Sequence, residues 1–466
     1  MAEPNVLVAL EKVTINRRNE PVLRDLSLQI RAGDCWAVVG KIGSGKTTFL
    51  QVLAGQLPAP VGTLTRHAAV SFVSFKEESH RFSYGDYFYQ QRYQATMSDT
   101  APIVRQYLQL TESPDDIRLI EQLGLAPLLD LSFIKLSNGQ TRKARIAKAL
   151  LSQSPLILLD NPFVGLDRAT RVDLTTWLSS LVGQGSTLVL VTGLEAIPSF
   201  VTHVLNLDAG SWAGTNDSYP AKAPTGQQNN SPLPVVQTPI KPLDFTDVFR
   251  LHNVTVRYGE RLILTNLTWT VQAGEKWALL GPNGVGKSVL LSLLYGDHPQ
   301  AYANDVSVFG HRRGKSNESI WEVKRRIGFV SPELHLYFPL HLTARQVVLT
   351  GLTDTLTVPK SVSSATENDL TELAQYFGMF NRLNCPFGTL STGEQRLTLL
   401  IRALIKNPPV LLLDEPFQAL DNSSINLARQ LLDALPDKSL LFVTHDQREL
   451  PSSVDRTFEL GFVNPG

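Results

Sequence analysis

One eight-residue pattern occurs twice in this chain, and its repetition limits the fold more than any other feature. Gly40–Thr47 reads GKIGSGKT and Gly281–Ser288 reads GPNGVGKS. Each follows an apolar run, Trp36-Ala37-Val38-Val39 or Trp277-Ala278-Leu279-Leu280, and precedes another, Phe49-Leu50 or Val289-Leu290-Leu291. That order predicts a strand, a glycine-rich turn and the start of a helix. Glycines at 40, 43 and 45, and at 281, 284 and 286, let successive backbone N–H groups converge on phosphate oxygens. Lys46 and Lys287 reach the terminal phosphates, and Thr47 and Ser288 offer hydroxyls to Mg2+. Ser44 and Thr48 in the first copy, and Pro282 and Asn283 in the second, complete the stretches assigned to the nucleotide.

A shift of 241 residues lays GDCWAVVGKIGSGKTT on GEKWALLGPNGVGKSV, and VLRDLSLQIRAG on ILTNLTWTVQAG. Duplication explains both matches. Farther along the shift is 254, which pairs Leu136 with Leu390 and Asp160 with Asp414. The second copy therefore carries about 13 extra residues, expected in the polar, basic loop around Phe309–Ser319. Residues 213–242, rich in Pro, Gly, Asn and Gln, read as a linker between domains at 1–212 and 243–466. As a coil it would span about 30 Å, enough for the two copies to face one another.

Short apolar runs such as Leu156–Leu159, Leu188–Val191, Val410–Leu413 and Leu440–Val443 read as buried parallel strands. Arg142–Ser152 and Arg396–Lys406 place apolar residues at spacings of three and four, as helices do. The fold class is α/β, with two domains, each a mainly parallel sheet core plus a helical insert near 80–135 or 335–389.

Composition bears on partners and compartment. Forty-three basic and forty-three acidic residues cancel, which argues against nucleic acid as a partner. Cys35 and Cys385 lack CxxC spacing and read as small hydrophobes of a reduced compartment. No run approaches the roughly 20 apolar residues of a membrane-spanning helix, and MAEPNVLVAL lacks the order of a signal peptide. A cytoplasmic protein is expected, peripheral to the inner face of a membrane if another chain supplies the membrane part.

Two further repeated motifs identify a family. LSNGQ (Leu136–Gln140) and LSTGEQ (Leu390–Gln395) each precede a basic helix and then a strand ending in LLD. The order of cradle, LSxG[QE], apolar run with Asp-Glu, and His resembles the ATP-binding cassette (ABC) ATPases, whose domains are of the P-loop NTPase type. The resemblance spans nearly the whole chain outside the linker. It implies a head-to-tail sandwich in which each ATP lies between the cradle of one copy and the LSxG motif of the other, so that one chain suffices as a monomer. It also implies that Asp160 and Asp414 steady the metal with Thr47 and Ser288. Glu415 would orient and deprotonate water, His445 would contact the γ-phosphate, and Tyr258 would stack on adenine, with core packing as its rival role. Ser137, Gly139 and Gln140, and Ser391, Gly393 and Glu394, would face the opposite cradle. As an isolated feature each LSxG serine is also a plain helix cap.

The copies are unequal. Asn161 stands where the second has Glu415, Gly193 where it has His445, and Arg17 where it has Tyr258. A positioned base contributes about 10²- to 10⁴-fold, so ATP binding should survive at the first cradle while turnover falls. Neither copy has the glutamine expected at Phe75 and Pro332. Six aromatics in Arg81–Tyr93 read as insert packing or a protein contact. The resemblance implies the energy-supplying subunit of an importer, of molybdate type, with a separate permease as partner. The competing readings are a mechanical factor acting on ribosome or nucleic acid, whose long charged linker this chain lacks, and an ATP-gated binding module.

Overall fold

The apolar runs form the interior strands of two parallel sheets. The structure, a computed structural model, describes residues 5–75, 102–215, 232–234 and 245–461, less 18–19, 59–60, 112, 132, 134–135, 137, 165, 167, 194–196, 208–211, 259–260, 283, 316–318, 333 and 335–337. They divide into a first unit within residues 1–225 and a second built on 226–466.

In the first unit a six-stranded sheet runs in the order Val70–Ser74, Leu156–Asp160, Thr187–Val191, Cys35–Val39, His203–Asn206, Trp212–Thr215. All its pairings are parallel except the last. The final strand continues the sheet past residue 212 into the stretch read as linker. An antiparallel sheet of Glu20–Arg31, Val6–Arg17 and Val61–Arg66 accompanies it.

The second unit repeats the plan with five parallel strands, in the order Ile327–Val330, Val410–Asp414, Ser439–Val443, Lys276–Leu280, Arg456–Glu459. Its antiparallel sheet orders Arg261–Gln272, Asp247–Tyr258, Asp305–Val308 and His311–Arg312. The extra residues of this copy are thus partly regular. His311–Arg312 closes a hairpin, and a helix, Ile320–Arg325, follows from a capping box between Ser319 and Glu322.

Unlike the edge strands Val70–Ser74 and Arg456–Glu459, the strands Cys35–Val39, Leu156–Asp160, Thr187–Val191, Val410–Asp414 and Ser439–Val443 are buried at all five positions. This is why their sequences run apolar without alternation. The helical inserts include Val104–Leu108 and Pro114–Gln122 in the first unit, and Ala344–Leu349 and Ser364–Tyr376 in the second. The LSxG motifs open the helices Asn138–Leu151 and Thr392–Leu404. The aromatic stretch Arg81–Tyr93 lies outside the described residues. Among the described residues no helix is long and apolar enough to cross a membrane.

A buried charge cluster fixes the insert of the second unit against its core. Asp354, whose side chain is 1% exposed, pairs with Lys406 and, at 3.5 Å, with Arg402. Arg402 Nε also donates to Thr350 Oγ1 at 2.9 Å, and Lys406 Nζ to Lys324 O at 2.7 Å. Lys324 in turn pairs with Asp297 at 2.5 Å and lies over the Tyr295 ring at the end of the cradle helix Lys287–Tyr295. A Cβ on Gly351 would sit 2.2 Å from the Arg402 carbonyl oxygen, so the insert and the LSTGEQ helix touch backbone to backbone. In the first copy the matching positions are Ala54, Gln56, Lys148 and Ser152 in place of Tyr295, Asp297, Arg402 and Lys406.

Asp354→Asn leaves two buried cations uncompensated and should destabilise the second unit by about 3–5 kcal/mol in denaturant unfolding. Burial pushes the Lys406 amine down from 10.5 to about 8, against the opposing pull of Asp354. Between those values the unfolded chain holds the extra proton, so this lysine adds stability as pH rises from about 8 towards 10.5. Unfolding curves across that range should show the rise, and Lys406→Met should flatten it.

Candidate active site

Both cradles lie at the carboxyl ends of central strands, where parallel sheets place their ligand crevices. Successive glycines take left-handed angles, φ 145°, 81° and 94° at Gly40, Gly43 and Gly45, and 145°, 82° and 106° at Gly281, Gly284 and Gly286. Gly281 is also held by contact, since a Cβ there would meet Leu460 O at 2.5 Å. Lys46 Nζ donates to the carbonyls of Gly40 at 2.5 Å and Lys41 at 2.6 Å. Lys287 Nζ does the same to Gly281 at 2.7 Å and Pro282 at 2.9 Å. Each ammonium is thereby held at its loop, beside the start of its helix. Asn283 lies outside the described residues. In the first cradle the buried Ser44 Oγ has no hydrogen-bond partner among the described residues, an unmet donor that suits a phosphate oxygen. Val285 takes that place in the second copy. Thr48 is buried at the root of the first cradle helix.

The hydroxyl after each lysine reaches the aspartate closing a neighbouring strand. Thr47 Oγ1 lies 3.0 and 3.2 Å from the two Asp160 carboxylate oxygens, and Ser288 Oγ lies 3.0 Å from Asp414 Oδ2. Both aspartates are almost fully buried. One hydroxyl and one carboxylate are hard oxygen donors that suit magnesium, whose remaining positions go to waters and phosphates. Among the described residues no group of three or more His, Cys, Asp or Glu could hold a metal. A bound Mg2+ would neutralise charge on the terminal phosphates.

Past these aspartates the copies diverge. Glu415 sits at φ 44°, its N–H donating to Val443 O at 2.9 Å, and its Oε1 accepts from His445 Nδ1 at 3.3 Å. Both side chains are largely buried, 12% and 14% exposed. Asn161 shares the left-handed backbone, φ 59°, but its Nδ2 donates to Asp160 Oδ1 at 2.9 Å. The amide thus spends its donor on the neighbouring carboxylate. Arg142 donates to the carbonyls of Asn161 at 3.0 Å and Pro162 at 2.8 Å, fixing this turn.

Ser391 and Glu394 form a capping box. Ser391 N donates to Glu394 Oε2 at 2.7 Å, Glu394 N donates to Ser391 Oγ at 3.2 Å, and Arg382 Nε pairs with Glu394 Oε1 at 2.9 Å. Both side chains are therefore engaged in starting their helix, and the buried Gly393 lies in its first turn. Ser137 is outside the described residues; Gly139 and Gln140 lie in the first turn of Asn138–Leu151. At the expected glutamine positions, Phe75 lies under the Arg142 guanidinium at 5.1 Å, and Pro332 follows Ser331, whose carbonyl accepts from Arg396 at 3.0 Å. Tyr258 is half-buried against the core, and its hydroxyl lies 2.6 Å from His298 Nε2.

Sequence reasoning missed Glu449 and His298. Glu449 accepts from Thr444 Oγ1 at 2.8 Å, and burial pushes its carboxyl above the usual range, aided by the charges of Asp446 and Glu415. Comparing the copies would have exposed His298, where the first copy has Leu57; Glu449 carries no such signal, since Glu195 lies close to its matching position.

Asparagine tolerates left-handed backbone better than glutamate, and at position 415 it could bond Asp414 as Asn161 bonds Asp160. Glu415→Asn should therefore stabilise the second unit by about 1 kcal/mol in nucleotide-free denaturant unfolding, whereas Glu415→Gln should bring no gain.

Comparisons with known proteins agree with this geometry. The profile of the ABC transporter family matches residues 23–164 and 264–418. The ABC transporter ATP-binding protein ModF of Escherichia coli (strain K12) is 38% identical over 464 residues, covering 94% of this chain and 93% of its own. An uncharacterized ABC transporter ATP-binding protein of Schizosaccharomyces pombe is 28% identical, over 94% of both. Among solved structures, a model of ribosome-bound archaeal Pelota and ABCE1 matches with TM-score 0.62 at 16% identity, covering 97% of this chain and 76% of that one. The RNase-L inhibitor matches at 0.53 and 16%, covering 96% and 88%. At such identities the structural matches speak for the fold alone.

Proposed function

The chain belongs to the ABC transporter family, with an ATP-binding cassette in each half, and on that premise we propose that it binds two ATP with Mg2+ between paired cassettes and hydrolyses mainly one. The observation carrying this reading is the contrast beyond the two aspartates. Glu415 and His445 meet at 3.3 Å, whereas Asn161 is turned onto Asp160 at 2.9 Å and faces no histidine partner at Gly193.

The chemistry follows from residue types. Phosphoryl transfer needs an in-line water, charge neutralisation and fixed donors on the equatorial oxygens. In the working site Glu415 would orient the water and take its proton. Lys287 would balance charge on the terminal phosphates, Ser288 and Asp414 would hold the metal, and His445, as an imidazolium, would donate Nε2–H to a γ-phosphate oxygen while Nδ1–H stays on Glu415. Ser137, Gly139 and Gln140 of the first cassette would complete it. The other site would combine Lys46, Thr47, Asp160 and Asn161 with Ser391, Gly393 and Glu394. There the cradle keeps its glycines and adds the unmet Ser44 hydroxyl, so binding is retained without a base.

The full-length similarity to transporter ATP-binding proteins favours a separate membrane permease as the partner the cycle drives. Phe75 and Pro332 at the expected glutamine positions favour the alternative, a soluble factor working without one. Co-purification from native cells separates them, by recovery of a permease or of ribosomal material.

Glu415→Gln should lower ATP turnover by about 10²- to 10⁴-fold while equilibrium dialysis still finds two ATP per chain. Turnover close to that of the unmodified protein would reject Glu415 as the base.

A further inference from the structure

We propose that His298 is a positioning residue for nucleotide binding in the second cassette: its Nε2–H, donated to the Tyr258 hydroxyl at 2.6 Å, fixes the ring that receives the nucleotide base. The inference rests on the proposed ATP binding and on the family resemblance, by which the half-buried Tyr258 ring would stack on the base of a bound ATP.

His298 is 1% exposed, just past the end of the cradle helix Lys287–Tyr295. Its tautomer follows from its partners. Nδ1 accepts from Gln300 N at 3.2 Å, so the ring proton is on Nε2 and the Tyr258 oxygen accepts it. Burial lowers the tendency of His298 to protonate, which keeps this neutral form in place. The histidine is itself mounted on the strand that carries Tyr258. Gln300 Nε2 donates to Arg257 O at 2.8 Å while its Oε1 accepts from Arg257 N at 3.2 Å. Asn304 Oδ1 accepts from Thr255 N at 2.9 Å, and its Nδ2 donates to Gln300 O at 2.9 Å. Segment 298–304 thus ties the far end of the cradle helix to the last residues of Asp247–Tyr258. Phosphate-holding and base-facing elements are linked in one hydrogen-bonded assembly.

The first copy has none of the key groups: Arg17, Leu57 and Ala59 stand where the second has Tyr258, His298 and Gln300. The mount is therefore confined to the copy that also carries Glu415 and His445. A histidine kept only for packing would need neither a defined tautomer nor a tyrosine partner. A device for holding a base-stacking ring needs both, because a ring fixed before binding loses less freedom on contact with the base.

The test uses the full chain and steady-state ATP hydrolysis, with inorganic tripolyphosphate, which has no base, as competing inhibitor. Tyr258→Phe and His298→Leu should each raise KM for ATP about three- to tenfold, the worth of one hydrogen bond, with kcat changed less than KM. The inhibition constant of tripolyphosphate should stay constant. The double variant should be no worse than either single one, and His298→Gln, which keeps a donor, should recover part of the loss. An unchanged KM in both single variants would overturn the proposal. A parallel rise for ATP and tripolyphosphate would overturn it too, since that marks general damage to the cradle. Loss of all ATP binding and turnover in the unmodified chain would instead remove the functional reading beneath it.

Discussion

Everything at the two cradles depends on a contact of about 3 Å between a hydroxyl on one helix and a carboxylate at the end of one strand. Thr47 meets Asp160 and Ser288 meets Asp414. These residues are 113 and 126 positions apart in sequence, and only a parallel sheet with both strand ends on the same edge brings them together. The register does so directly: Val410–Asp414 pairs with Ser439–Val443, which pairs with the strand leading into the second cradle. Strand ends that must carry Asp, Glu and His therefore emerge side by side. The apolar, two-sided burial of those strands is what secures the polar geometry at their tips.

Duplication supplied the same scaffold twice, and the differences lie in what was placed on it. In the second unit a carboxylate is held at φ 44° beside a histidine; in the first an asparagine, better suited to that backbone, bonds the aspartate before it. The second unit also carries the buried Asp354 cluster and the His298 mount, where the first has Gln56 for Asp297, Ser152 for Lys406, Leu57 for His298 and Arg17 for Tyr258. Buried polar groups are costly unless satisfied, so keeping them in one copy is consistent with work done there. At its cradle the first copy has the Ser44 hydroxyl, without a hydrogen-bond partner among the described residues, where the second has Val285.

Much of this was legible in the sequence. The apolar runs and the helical spacings specified an α/β fold with parallel-sheet cores, because each depends on local chemistry at fixed spacing. The unequal ends at Glu415 and Asn161 were visible as residue types, but not that the amide turns onto Asp160. Helix Ile320–Arg325 was missed since the surrounding stretch looked polar and basic, though the S-x-x-E cap at Ser319 announces it. His298 and Glu449 act through tertiary neighbours 40 and 5 positions away, and a single histidine or glutamate has no periodicity to betray it. Ser391 was read as a ligand with a helix cap as its rival, and its side chain is seen capping.

The central claim is that two nucleotides are held and one is split. A rapid-quench experiment on the full chain, loaded with ATP and Mg2+ and then freed of excess nucleotide, counts the products in one cycle. The account predicts one ADP and one intact ATP per chain at the end of the first turnover; two ADP formed at equal rates would contradict it.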